Sequence, residues 1–191
     1  MTDTRRSTGD SGRDVESSQS SRSDQPSDPG DLVVVCGLPG AGKTTVAERI
    51  SDRSDARILR TDVIRKELFS DPTYTEAETE AVYAELLERA RDAVLDGRSV
   101  VLDATFAKRQ FREDARELAE RVANRFELVK VECDESVVRE RIERRDGISD
   151  ADFDVYLHFT ELFDGIDSEH LVVDNSGSEA TTFAQIDSAF E

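Results

Sequence analysis

The run Leu32-Val33-Val34-Val35-Cys36 passes without a break into Gly37-Leu38-Pro39-Gly40-Ala41-Gly42-Lys43-Thr44-Thr45. A continuous apolar run of this kind, closed by a glycine-rich turn, marks a strand buried on both faces, as in a parallel sheet. The residues that follow match G-x-x-x-x-G-K-[ST]. The glycines permit a loop that turns its amides inward around an anion, where side chains would obstruct the approach. The helix expected from Lys43 adds its positive end. In this strand-to-helix setting the pattern predicts a phosphate cradle over Gly37 to Thr45. Lys43 is expected to reach the β- and γ-phosphates of ATP, and the Thr44 hydroxyl to hold Mg²⁺.

Further short apolar runs follow at Ile58-Leu59, Val100-Val101-Leu102, Leu128-Val129-Lys130-Val131 and Leu171-Val172-Val173. Between them the pattern predicts helices over about 44–53, 75–96, 108–124, 135–145, 150–163 and 178–190. The second opens with Thr75 and Glu78, spaced as a capping box whose side chains satisfy free amides, and it stops at Gly97. Within it Val82, Leu86, Ala90 and Val94 recur every four residues as one buried stripe. Strands alternating with helices predict an α/β fold with a parallel sheet and right-handed crossovers. Ligands in such folds sit beyond the carboxyl ends of the strands.

Residues 1–30 are rich in Ser, Asp, Gly and Arg, with Met1 and Val15 their only large apolar side chains. Such a segment buries too little surface to offset its ordering entropy, so a disordered tail is expected there and a folded domain over 31–191. The chain carries 43 acidic against 25 basic residues, a net charge of −18. That balance repels extended nucleic acid, whose binding rests on cationic charge. The acids are spread through nearly every helix, which fits a solvent adaptation better than an acidic docking face. Cys36 and Cys133 are the only cysteines, too few for a disulfide framework or a zinc site, and both read as small packing residues at strand ends. No stretch approaches the ~20 apolar residues of a membrane span, and no apolar region follows Arg5-Arg6. A cytoplasmic location is therefore expected.

Three further groups carry chemistry. Asp103 ends the run Val100-Val101-Leu102 and is the expected partner of the metal, binding Mg²⁺ through water or orienting Thr44; the plainer reading is a strand-end cap. Ala104 follows it, so the Asp-Glu pair that activates water in motor ATPases is missing, which favours transfer to an acceptor. Asp62 follows the second strand, with Arg65 one helical turn on. A carboxylate there can accept the proton of an attacking hydroxyl, and the arginine can fix the acceptor or neutralise the transferring phosphoryl group. Arg139, Arg141, Arg144 and Arg145 crowd one short helix, with Arg141 and Arg145 on a shared face. Lid arginines closing on ATP would stabilise charge in transit; salt bridges to Glu140 and Glu143 are the alternative. Arg109 and Arg112 are weaker acceptor-site candidates. His158, His170 and the tyrosines Tyr74, Tyr83 and Tyr156 are assigned no chemical role, the tyrosines reading as helix packing.

These motifs resemble the P-loop kinases of the AAA domain family related to the kinase domain of bacteriophage polynucleotide kinase, with zeta toxins and gluconate kinases as more distant relatives. GLPGAGKTT at 37–45, TDVIRKEL at 61–68, VVLDATF at 100–106 and RERIERRDGISDAD at 139–152 carry the resemblance. It implies a three-layer P-loop fold with a five-stranded parallel sheet ordered 2-3-1-4-5. It also implies a base at Asp62, a substrate arginine at Arg65 and lid arginines at Arg141 and Arg145. The acidic composition resembles that of proteins from salt-loving archaea. The activity so implied is ATP- and Mg²⁺-dependent phosphoryl transfer to a hydroxyl of a small molecule or a polynucleotide end. A nucleoside monophosphate kinase, or an ATP-binding switch with incidental turnover, are the alternatives.

Overall fold

The computed structural model describes residues 28–146 and 150–190. Most of the expected tail thus lies outside the described residues, as do the side chains of residues 145–152. In chain order the elements are β1 (Leu32–Gly37), α1 (Lys43–Ser54), β2 (Arg57–Arg60), α2 (Thr61–Leu68), α3 (Glu76–Leu95), β3 (Val100–Asp103), α4 (Arg109–Val122), β4 (Phe126–Glu132), α5 (Glu135–Asp146), α6 (Asp150–Leu162), β5 (Leu171–Asp174) and α7 (Glu179–Ala189). The five strands form one parallel sheet in the order β2-β3-β1-β4-β5.

Alternation along the central strand builds two cores at once. Leu32, Val34 and Cys36 point to one face, where α3 and α4 supply Val82, Leu86, Ala115 and Leu118. Val33 and Val35 point to the other, where α1 and α7 supply Val46, Ile50 and Ile186. All six residues of β1 are buried, and a fully buried side chain of this size contributes about 1.5–3 kcal/mol. The stripe Val82, Leu86, Ala90 and Val94 is wholly inside. Burial pushes the Cys36 thiol up to about 11, consistent with a packing residue and not a reactive one. Cys133 is only half-buried.

Local details depart from the sequence reading in four places. Gly30, assigned to the tail, is buried and pinned, its amide donating to Val94 O and its carbonyl accepting from Asn124 N, each at 3.0 Å. A separate helix, α2, begins immediately after β2. At the start of α3, Thr75 accepts from Glu78 N as expected, but Glu78 reaches past the cap to the amides of Thr73 and Tyr74 at 3.0 and 2.7 Å. Tyr74 is not a helix-packing residue: it sits outside any helix at φ 56°, 72% exposed. Glu78 holds that turn in place.

Candidate active site

The loop joining β1 to α1 lies at the carboxyl end of the central strand. Gly42 caps α1 in the left-handed region (φ 92°) and supplies no side-chain hydrogen bond, which leaves the first amides of the helix without a side-chain cap, the arrangement that suits an anion. A Cβ at position 42 would stand 2.1 Å from Asn175 Nδ2, and one at position 37 would stand 2.5 Å from Val131 O. Glycine is required at both by close approach. Lys43 Nζ donates to the Leu38 carbonyl at 2.9 Å, folding back over the loop. Burial lowers its pKa from the usual lysine range, and the nearby charge of Asp103 opposes that drop.

Asp103, the last residue of β3, pairs in register with Val35 and Arg60. Its Oδ2 accepts from Thr44 Oγ1 at 2.8 Å and lies 3.5 Å from Arg60 Nε. The carboxylate is 7% exposed. Burial raises its pKa, while the Thr44 hydrogen bond and the charges of Lys43 and Arg60 pull it back. A hydroxyl and a carboxylate are thus joined beside the lysine, at the open N-terminus of α1. The pair presents hard oxygen donors, the chemistry Mg²⁺ takes when phosphate oxygens and water complete its shell. Among the described residues no group of three or more His, Cys, Asp or Glu is gathered to hold a metal alone, so a cation here needs a ligand's oxygens.

Asp62 lies in the first turn of α2, is exposed, and acts electrostatically on Asp103. Arg65, three residues on, is 8% exposed. Its Nη1 lies 3.5 Å from Glu78 Oε2, its Nη2 donates to Thr79 Oγ1 at 3.3 Å, and the Tyr74 ring covers it with 4.8 Å to the ring centroid. Nη1 makes no hydrogen bond. Arg65 is therefore held by the start of α3, with one buried donor left over.

On α5 the four arginines part company. Arg141 turns toward the loop: Nη2 donates to Asn175 O at 2.8 Å and Nη1 to Cys133 Sγ at 3.4 Å. Arg139 pairs with Glu135 at 3.7 Å and lies over the Phe153 ring, and Arg144 pairs with Glu140 at 2.9 Å. The Arg145 side chain is outside the described residues. Arg109 is exposed and paired with Asp167. Arg112 is not an acceptor-site residue: it is 5% exposed, and its Nη atoms donate to the carbonyls of Phe106, Ala107, Asp164 and Gly165 at 2.6–3.0 Å. Such a tie fixes the chain after α6 to the turn after β3.

Asn175 belongs to the polar run Asp174-Asn175-Ser176-Gly177 that follows β5. Its Nδ2 donates to Ala41 O and its Oδ1 accepts from Thr182 Oγ1, both at 2.8 Å and buried. It braces the glycine loop from behind. Between Gly40, Gly42, Thr45, Arg141, Asn175 and Glu179 lies a cavity of about 210 Å³.

Solved structures share this fold. A gluconokinase from Sinorhizobium meliloti 1021 superposes with a TM-score of 0.64 at 23% identity, over 85% of this chain and 94% of that one. The APS kinase CysC of Mycobacterium tuberculosis, in complex with AMPPNP and APS, gives 0.65 at 19% identity, over 84% and 97%. In sequence, an uncharacterized protein of Mycobacterium tuberculosis strain H37Rv, Rv2004c, is 31% identical over 128 residues. That match takes in 61% of this chain and 26% of the relative, so the chain spans about a quarter of the relative's length. Residues 32–164 match the AAA domain family model, and the chain belongs to that family, with the fold of the P-loop kinases.

Proposed function

We propose that the protein is an ATP-dependent phosphotransferase that moves the γ-phosphate of ATP to a hydroxyl group. The observation that carries this reading is the Thr44–Asp103 hydrogen bond of 2.8 Å beside Lys43: a hydroxyl, a carboxylate and an ammonium meet at an uncapped helix N-terminus. The amides from Gly37 to Thr44 cradle the phosphates, and Lys43 leaves the Leu38 carbonyl to reach the β- and γ-phosphates. Thr44 and Asp103 would hold Mg²⁺, which would neutralise charge on the phosphates when bound. Asp62 takes the proton of the attacking hydroxyl as its oxygen bonds to the γ-phosphorus, and the bond to the β–γ bridging oxygen breaks to release ADP. Arg65 steadies Asp62's side of the site. Arg141, with Arg145 one turn on, offsets charge on the nucleotide. The small cavity between Thr45, Arg141 and Asn175 is the place for the nucleoside.

The fold shared with a gluconokinase and an APS kinase supports this reading, and so does the absence of an acidic residue after Asp103. We also take the spread of negative charge as an adaptation to a salt-rich cytoplasm, so assays belong in molar KCl. The test is transfer of label from γ-labelled ATP to pooled metabolites, with product mass analysis. Asp62→Asn should lower kcat by about 10²–10⁴ while leaving the KM for ATP within a factor of two. Unchanged turnover would remove the base and point to a phosphate oxygen as acceptor.

A further inference from the structure

Arg60 is the last residue of β2 and pairs in register with Asp103. Alternation along a strand sends Ile58 and Arg60 to the same face of the sheet. Ile58 packs there against the core that holds Val46 and Ile50 of α1, so Arg60 extends toward α1 at the carboxyl end of its strand. Its guanidinium stands between two carboxylates. Nη2 donates to Glu48 Oε1 at 2.7 Å, and Glu48 lies one helical turn beyond Thr44 on α1. Nε lies 3.5 Å from Asp103 Oδ2, an ion pair longer than an ordinary hydrogen bond. The same oxygen accepts from Thr44 Oγ1 at 2.8 Å.

The two carboxylates differ in solvation. Glu48 is exposed and Asp103 is buried. A buried carboxylate needs a compensating charge, whereas an exposed one is satisfied by water. Lys43, the other cation acting on Asp103, donates to the Leu38 carbonyl at 2.9 Å. Arg60 compensates Asp103 through its charge while its hydrogen bond goes to Glu48. Its side chain is 30% exposed, so it can move off Asp103 into solvent and keep Glu48. A divalent cation at Thr44 and Asp103 would take over that compensation, and two cations on one carboxylate repel each other.

We propose that Arg60 is an internal counter-ion of Asp103 that competes with Mg²⁺ for the carboxylate, and so sets how tightly the site takes its metal. The proposal rests on the metal–nucleotide part of the phosphotransferase reading and deepens it. Arg60 is a positioning residue: it acts through Asp103 and touches neither nucleotide nor acceptor. While Arg60 compensates Asp103, a bare Mg²⁺ ion gains little by replacing it. Arg60 yields, moving toward Glu48, to Mg²⁺ that arrives with phosphate oxygens. The site thereby selects the metal–nucleotide complex over the free ion.

The test uses the full chain in molar KCl, where a pair with a buried member is screened less than surface charges are. Calorimetry measures binding of ADP in EDTA, and of ADP with saturating Mg²⁺, to the parent, Arg60→Gln and Arg60→Lys. Arg60→Gln should bind MgADP about tenfold more tightly than the parent, with affinity for ADP in EDTA within about threefold. Arg60→Lys, which keeps the charge, should stay within about threefold of the parent for both. Loss of a residue that only supported the fold would weaken MgADP binding, so the sign decides. Urea unfolding in EDTA gives a readout without ligand. Asp103→Asn should raise the midpoint by about 0.5 M more in the Arg60→Gln background than in the parent, because it there removes a buried carboxylate that has lost its counter-charge. If Arg60→Gln does not fold, Arg60→Thr, which suits an edge strand, takes its place. MgADP affinity unchanged or weakened in the folded variant overturns the proposal, and so does an equal effect of Asp103→Asn in both backgrounds. A larger fall in affinity for ADP in EDTA would assign Arg60 to the phosphates and also overturn it. A parent that binds neither ADP nor MgADP overturns the nucleotide reading and the proposal with it.

Discussion

Asn175 offers a sharp test of how the glycine loop is held. The substitution Asn175→Ala removes its donation to Ala41 O and its acceptance from Thr182 Oγ1, both 2.8 Å and both buried. Thr182 keeps a weaker option, Ser178 O at 3.4 Å, but the Ala41 carbonyl loses its partner inside a residue that is 2% exposed. One hydrogen bond lost outright, plus one acceptor left unpaired, adds up to about 2–3 kcal/mol. For a chain of this size, with an m-value of about 2 kcal/mol/M in urea, the unfolding midpoint should fall by about 1–1.5 M. The loop should also spend less time in its binding geometry, weakening nucleotide affinity about tenfold. Urea titration followed by circular dichroism, and calorimetric titration with MgATP, measure the two effects. A midpoint shifted by less than about 0.2 M, with affinity unchanged, would refute the claim that Asn175 braces the loop.

Two other substitutions separate structure from chemistry. Arg112→Lys should cost about 2–4 kcal/mol, because a lysine cannot reproduce a planar fork that serves four carbonyls; thermal unfolding reads this, and a change below about 0.5 kcal/mol would contradict it. Asp103→Asn should leave the ligand-free protein at least as stable at pH 7–8 while lowering MgATP affinity at least tenfold. The folded-state pKa of Asp103 is raised by burial, so ionised Asp103 subtracts stability as pH climbs from the usual carboxylate range through the folded value. The asparagine variant should therefore lack that component of the stability–pH profile, and a steeper loss of stability with rising pH than in the parent would count against the assignment.

The strands and the glycine-rich loop were legible in the sequence because each rests on a short, local pattern, whereas the strand order came from the family resemblance alone. Five apolar residues before a glycine-rich turn fix a buried strand, and Asp103 declares itself as the residue that ends the next such run. Asp62 and Arg65 were readable as a pair but not as a geometry. That Arg65 is gripped by Glu78 and roofed by Tyr74 depends on a turn in which Glu78 bypasses its own capping position to hold Thr73 and Tyr74. Arg112 misled for a related reason. An arginine on the first turn of a helix near a site reads as a ligand group, whereas here its guanidinium is consumed by carbonyls more than 50 residues away as well as nearby ones. Asn175 carried no spacing signal at all, since its side chain acquires its partners only when distant elements close around the loop. The acidic excess, conspicuous in composition, says little about the site until one sees which carboxylates at the sheet edge are paired and which are not.

The central claim is that residues 37–44 hold a nucleotide by backbone amides, one lysine and a metal-bridging pair. The most direct measurement is calorimetric titration of MgATP into the parent protein and into Lys43→Ala, in molar KCl, with circular dichroism to show that both are folded. The account predicts binding to the parent and a loss of at least about a hundredfold in the variant, the removal of one charge-assisted contact inside a partly dehydrated loop. Equal affinity in two folded proteins would contradict it.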